Sequence, residues 1–313
     1  MIALLPFLLV LGLALLGGAY YLLRRAITPR KFSYLKSYAL EVEHGRLVEA
    51  DYLAWEKEEV QLVSPFGYQL SGTYFPLPGA RKSVVILHGF AYTRIGSVKY
   101  IPIFRRLGFN VLIYDLRYHG LSGGANISFG FYEKHDLKAA VDWAFERLGP
   151  GGLVGVMGES LGASTCVQYA ALDTRAAFVI ADCGYADLRD QLVTRLKLDY
   201  HLPVFPLLPL AGWLCRRIAG FSFEDVRPEK DAASIEAPLL VIHGAQDDYI
   251  FPEHAQRLYA ARQKRLQRLY LAPNAGHAEA YWNNPEEYDR VVGDFLREAG
   301  ILDWLCARHT TSL

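Results

Sequence analysis

The sequence predicts an α/β fold, a mainly parallel sheet with helices on both faces, and three observations carry that prediction. Short, almost unbroken apolar runs recur near 83–87, 111–114, 153–157, 177–182, 238–242 and 267–271. Runs of this length without polar alternation read as strands buried on both faces. Between them lie helical stretches near 97–107, 131–148, 161–172 and 253–264, and strands that alternate with helices imply parallel crossover units. Third, Leu153-Val154-Gly155-Val156-Met157 runs directly into Gly158-Glu159-Ser160-Leu161-Gly162 and then into the small residues Ala163-Ser164-Thr165-Cys166. A strand that ends in G-x-S-x-G and opens a helix turns sharply, and the serine hydroxyl then stands clear at the carboxyl edge of the sheet.

Taken in order, the chain opens with a segment, Met1 to Leu23, that holds no charged side chain. About 20 apolar residues suffice to cross a hydrocarbon core of roughly 30 Å. A signal peptide carries positive charge ahead of its apolar stretch. This segment has none, and Tyr20-Tyr21-Leu22-Leu23 continues the apolar run past the small residues Gly17-Gly18-Ala19. Residues 1–23 are therefore expected to be an uncleaved transmembrane anchor. Arg24, Arg25, Arg30, Lys31 and Lys36 all precede the first acid, Glu41, and such a basic flank stays in the cytoplasm. The expectation is a single-pass membrane protein with its main domain on the cytoplasmic face. Residues 24–57 read as a membrane-proximal helical linker.

Glu58 to Tyr74 alternates apolar and polar around Ser64-Pro65-Phe66-Gly67, which predicts a hairpin. It opens a domain expected over 58–302, with residues 303–313 as a tail. The segment 184–233 breaks the strand–helix rhythm. Its centre, from Tyr200 to Leu210, is strongly apolar and holds three prolines. A helical connection packed on the core and a short helical lid touching the bilayer or lining an apolar pocket are compatible readings. The last helix is expected to start with Asn284 as cap, Pro285 in first position and Glu287 as its capping partner. Formal net charge is zero over 313 residues, so nothing points to nucleic acid. The four cysteines, Cys166, Cys183, Cys215 and Cys306, show no metal spacing and read as small buried hydrophobes.

A serine hydroxyl is a weak nucleophile until a base, itself oriented by a carboxylate, takes its proton. Downstream of Ser160, the strand ending at His243-Gly244 is followed by Asp247 and Asp248, and the next by Gly276-His277. Both groups would stand at strand carboxyl ends, the edge where open α/β sheets bind ligands. Asp247 is the expected acid and His277 the expected base; Asp248 is the alternative acid when the count runs back from Pro252. The charge that develops on a carbonyl oxygen needs backbone N–H donors, and these are expected from Leu161 and from Phe90, with Gly89 permitting a tight path. Among the remaining histidines, His88 reads as a structural loop residue and His243 as packed at its strand end. His254 and His309 read as surface residues. Asp115, Arg117, His119 and Ser122 form a polar loop that either props the Phe90 segment or binds substrate.

The segments Leu87-His88-Gly89-Phe90, Tyr114 to Gly124, Gly158 to Gly162, His243 to Asp247 and Ala275 to Ala280 together resemble a bacterial α/β-hydrolase of the serine aminopeptidase/lysophospholipase-like superfamily. The resemblance runs from about 58 to 300. Tyr118, where relatives have a small residue, and the extra residue before Pro252 depart from the pattern. The resemblance implies a cofactor-free, metal-free serine hydrolase acting on a small or lipid-like carboxylic ester. Thioester and peptide hydrolysis use the same groups and stay open, as does a catalytically idle, membrane-tethered binding module.

Overall fold

The computed structural model describes residues 4–262 and 265–302. The expected tail at 303–313, with Cys306 and His309, lies outside the described residues. The chain opens with α1 (Leu4–Ile27), α2 (Tyr34–Glu43) and α3 (Glu49–Ala54). β1 (Glu58–Val63) and β2 (Gln69–Phe75) form the expected hairpin. β3 (Lys82–Leu87) leads through a 3₁₀ turn at Arg94–Tyr100 into α4 (Ile101–Arg106), so the helix expected near 97–107 begins as a tighter turn. Then follow β4 (Phe109–Tyr114), α5 (Glu133–Leu148), β5 (Leu153–Glu159), α6 (Leu161–Leu172) and β6 (Val179–Asp182). The irregular segment holds α7 (Leu188–Tyr200), α8 (Leu207–Ala219) and α9 (Pro228–Ala232). β7 (Leu239–Gly244), α10 (Glu253–Ala260), β8 (Gln267–Ala272), α11 (Ala280–Asn283) and α12 (Pro285–Glu298) complete the described part.

Among the described residues the strands form one sheet in the order β1-β2-β4-β3-β5-β6-β7-β8. β2 pairs antiparallel with β1 and β4, and every other pair is parallel. Successive strand side chains point to opposite faces, and here both faces are apolar. Val85, Leu87, Leu112 and Val156 pack with the side of α5 and α6. Val84, Ile86, Val111 and Ile113 pack with Phe104 of α4 and Phe295 of α12. Each such buried side chain stabilises the fold by about 1.5–3 kcal/mol, which is why these strands read as unbroken apolar runs.

Two local expectations change. Asn284 does precede Pro285 at the start of α12, but it makes no side-chain cap. Its amide instead donates to the Pro273 carbonyl at 2.9 Å, and Glu287 pairs with Arg290. α1 runs on to Ile27, past the expected end at Leu23.

The segment expected as a linker is helical and packed on the body of the protein. Ala19, Leu23 and Ile27 recur every four residues, share one face of α1, and are fully buried. That face lies on α8, where a Cβ placed at Gly18 would meet Leu207 at 3.7 Å. Beyond the helix, Ile127 N–H donates to the Ile27 carbonyl at 2.8 Å, and Phe32 N–H donates to the Ala91 carbonyl at 3.1 Å. Tyr92 donates to Glu41 of α2 at 2.6 Å.

Candidate active site

The turn after β5 has the geometry its glycines predict. Ser160 sits at φ 53° and ψ −112°, and its N–H donates to the Asp182 carbonyl at 2.8 Å. A non-glycine residue held at positive φ stores about 1–3 kcal/mol, and such strain clusters at functional sites. A Cβ at Gly158 would lie 2.2 Å from the carbonyl carbon of Gly162, and one at Gly162 would lie 2.5 Å from the Leu87 oxygen. Only glycine allows strand, turn and helix to close this tightly. Gly89 differs from expectation: a Cβ there would meet Ser160 at an ordinary 3.5 Å, and the positive φ of that loop falls at Ala91 instead.

Parallel register brings the strand ends level, since Leu87 pairs with Gly158 and Gly244 with Ala272. Ser160, Asp247 and His277 therefore converge on one edge. His277 Nε2 lies 3.0 Å from Ser160 Oγ, and His277 Nδ1 lies 2.8 Å from Asp247 Oδ2. Asp247 is buried and also accepts from the backbone N–H groups of Tyr249 and Ile250, at 2.9 and 2.8 Å. His243 Nε2 lies 3.1 Å from the same carboxylate. Burial alone would raise the Asp247 carboxyl, but the hydrogen bonds from His243, His277 and Ile250 outweigh it and hold the group well below the ordinary carboxylate range. Asp248 is exposed, and its carbonyl accepts from Arg195. Of the two adjacent acids, only Asp247 meets His277.

Phe90 and Leu161 flank Ser160, and among the described residues neither backbone N–H donates to another protein group. The loop that carries Phe90 is braced from behind. His119 Nε2 accepts the Ala91 N–H at 3.0 Å while its Nδ1 meets the Arg117 carbonyl at 2.8 Å. His88 Nε2 accepts the Leu116 N–H at 3.0 Å, and its Nδ1 meets the Gly89 carbonyl at 2.7 Å. Each ring thus carries its proton on Nδ1. Asp115 accepts from the Arg94 backbone and guanidinium, both at 2.7 Å, and Ser122 donates to the Asp115 carbonyl. The polar loop from Asp115 to Ser122 is a brace behind the Phe90 segment. Glu159 points away from Ser160 into a pair with Lys99 at 2.5 Å and accepts from Tyr100 at 2.7 Å.

The braces predict an acid sensitivity. Burial lowers His88 to about 4, His119 to about 3 and His254 to about 4. His254 was expected at the surface, but it is buried and accepts the Ala186 N–H at 3.1 Å. An unfolded chain protonates histidine near 6.5, so between roughly pH 6.5 and 4 the unfolded state binds more protons and stability falls as pH drops. Asp136 and Asp182, raised by burial to about 7 and about 6, act in the opposite direction across nearly all of that window, so the three histidines exceed them by one group. Replacing His119 with asparagine is expected to flatten the acid slope by up to about 1.4 kcal/mol per pH unit. Urea unfolding of both proteins from pH 7 to pH 4 measures it; parallel slopes would refute it.

Residues 82–208 match the family model described as alpha/beta hydrolase fold. The uncharacterized protein YqkD of Bacillus subtilis is 38% identical over 258 residues, covering 82% of this chain and 84% of that one. The chain belongs to the α/β-hydrolase fold family. The uncharacterized protein Rv2307c of Mycobacterium tuberculosis is 30% identical over 246 residues, or 75% of this chain and 78% of that one. Among solved structures, the esterase Pf2001 of Pyrococcus furiosus superposes with a TM-score of 0.64 at 27% identity, covering 79% of this chain and 93% of that one.

In this α/β-hydrolase, two cavities meet at Ser160. One, of about 400 Å³, is walled mainly by apolar side chains, among them Leu161, Leu188, Leu192, Leu207, Leu208 and Phe223. The other, of about 420 Å³, holds Glu41, His44, Arg46, Lys99, Glu279 and Trp282. Both fall in the size range of small-molecule sites, about 300–1,000 Å³. Tyr249 lies between them, its ring 5.0 Å from that of His277. Contributions from α1 and α2 to these walls are not apparent from motif reading, because both helices precede the first motif. The charged cluster Glu41, Glu43, His44 and Arg46, shortly before the first strand, is the available signal.

Proposed function

We propose that this α/β-hydrolase cleaves carboxylic esters by way of a covalent acyl-enzyme. The observation that carries the reading is the continuous hydrogen-bonded line from Asp247 through His277 to Ser160. His277 Nε2 takes the Ser160 proton as Oγ attacks the carbonyl carbon, and Asp247 stabilises the resulting imidazolium. The N–H groups of Leu161 and Phe90 hold the oxyanion, a role worth about 10²–10³ in rate per donor. As the tetrahedral adduct collapses, the carbon–oxygen bond to the alcohol breaks and His277 returns the proton to the departing oxygen. Water, activated by the same histidine, then releases the acid and restores Ser160.

The two cavities favour a substrate with unlike ends. An acyl group fits the apolar cavity under α7 and α8, which serve as the lid, and a polar alcohol fits the charged cavity beside Lys99 and Arg46. The long apolar α1 and its arginine flank support a membrane anchor with the catalytic domain on the cytoplasmic side. A fluorophosphonate probe is expected to label Ser160, and p-nitrophenyl esters are expected to be hydrolysed with a preference set by acyl length. Folded protein that neither labels nor turns over any ester of the series would instead be a tethered binding module.

A further inference from the structure

The apolar cavity has a wall that a mere tether would not supply. Leu22, Leu23 and Ala26 of α1 line it together with Ser160, facing Leu207 and Ala211 of α8. The backbone bonds from Ile127 to Ile27 and from Phe32 to Ala91 fix this end of α1 to the loops beside Ser160. The same residues set the depth of the bilayer. The first charge is Arg24, and a span of about 20 residues counted back from it ends at Leu4, so the hydrocarbon boundary falls near Leu23. There α1 lies against α8. α8 and the turn before it expose Phe205, Trp213 and Ile218, 79%, 53% and 52% accessible, and α8 also carries Arg216 and Arg217. Aromatic residues and arginines of this kind belong at a headgroup surface.

Resting on the ester reading of the same site, we propose that the last two turns of α1 are a working wall of the acyl cavity. The substrate class is then a membrane-resident ester with a long acyl chain, which enters between α1 and α8 at the level of the bilayer surface. The anchor selects the substrate as well as holding the protein in place.

The test uses the full chain in phosphatidylcholine vesicles. Ala26→Leu and Ala26→Trp fill the cavity from the α1 side in two steps, while Leu11→Trp alters α1 outside it. The ratio of kcat/KM for p-nitrophenyl dodecanoate over p-nitrophenyl acetate is expected to fall stepwise, by about tenfold or more for tryptophan, as overfilling a packed site costs affinity. Leu11→Trp is expected to leave that ratio unchanged. Binding of cis-parinaric acid to Ser160→Ala protein gives a readout that needs no turnover, and Ala26→Trp is expected to weaken it by a comparable factor. If the ratio and the binding are both unmoved by the Ala26 variants, the wall is refuted. Weakened binding in a protein that hydrolyses no ester would uphold the wall and refute the ester reading. Nitroxide-bearing lipids should quench an emission component that Trp213→Phe removes; an unquenched Trp213 would overturn entry at the bilayer surface.

Discussion

With alanine at Ser160, ester turnover is expected to fall by about a million-fold in kcat, and alanine at His277 is expected to cost nearly as much. Combining the two is expected to add little. The pair acts as one unit: a hydroxyl without its base does not attack, and a base without its hydroxyl has no proton to take. What remains is the contribution of the Leu161 and Phe90 N–H groups and of substrate binding, about 10³–10⁴ over water. Stability should change little at Ser160, because alanine at φ 53° carries the same backbone strain as serine. Steady-state kinetics on one p-nitrophenyl ester, with a thermal melt of each variant, gives both quantities. A loss of only tenfold in folded protein would end the nucleophile assignment.

The second large effect separates two neighbouring acids. Asp247→Asn is expected to lower kcat by about 10⁴-fold, and Asp248→Asn to leave it near the starting value. Asparagine keeps the volume of Asp247 but loses the charge that stabilises the imidazolium, and it holds His277 in the wrong tautomer. Asp248 faces solvent and reaches no group of the site through its side chain. Because the Asp247 carboxyl is held well below its ordinary range, its contribution to stability is present above about pH 3.9 and is lost only as pH falls below that, toward the folded value. Protonation of Asp247 is therefore expected to make no contribution to stability changes near pH 5. Equal losses in the two variants would move the acid elsewhere.

Much of this architecture is legible in the sequence, and the parts that are not share a physical reason. The central strands are visible because Val84 to Leu87 or Val156 to Met157 are buried on both faces, so no polar residue interrupts them. Ser160 is visible because it follows such a strand by a short, glycine-marked turn, and His277 because Gly276 and the half-exposed strand β8 precede it. Asp247 is ambiguous by counting, since Asp248 is one bond away and only three-dimensional register decides which carboxylate meets the ring. The docking of α1 leaves no mark at all: Ala19, Leu23 and Ile27 are apolar in a helix that is apolar all round, so the buried stripe has no polar face to contrast with. His254 misleads for a related reason, as a buried imidazole that accepts a backbone N–H looks the same in sequence as an exposed one.

The bond between Phe32 and Ala91 has a mechanical consequence. A tether with slack absorbs whatever its far end does, whereas α1, about 36 Å long at 1.5 Å per residue, is held at Ile27 by Ile127, and the segment just after it is held at Phe32 to the loop beside Ser160. Helices respond to a thicker or thinner bilayer by changing their tilt. On the proposed reading of α1 as a membrane anchor, such a change is a torque delivered toward Ala91 and Phe90. On that reading bilayer thickness becomes an input to the placement of the loop beside Ser160.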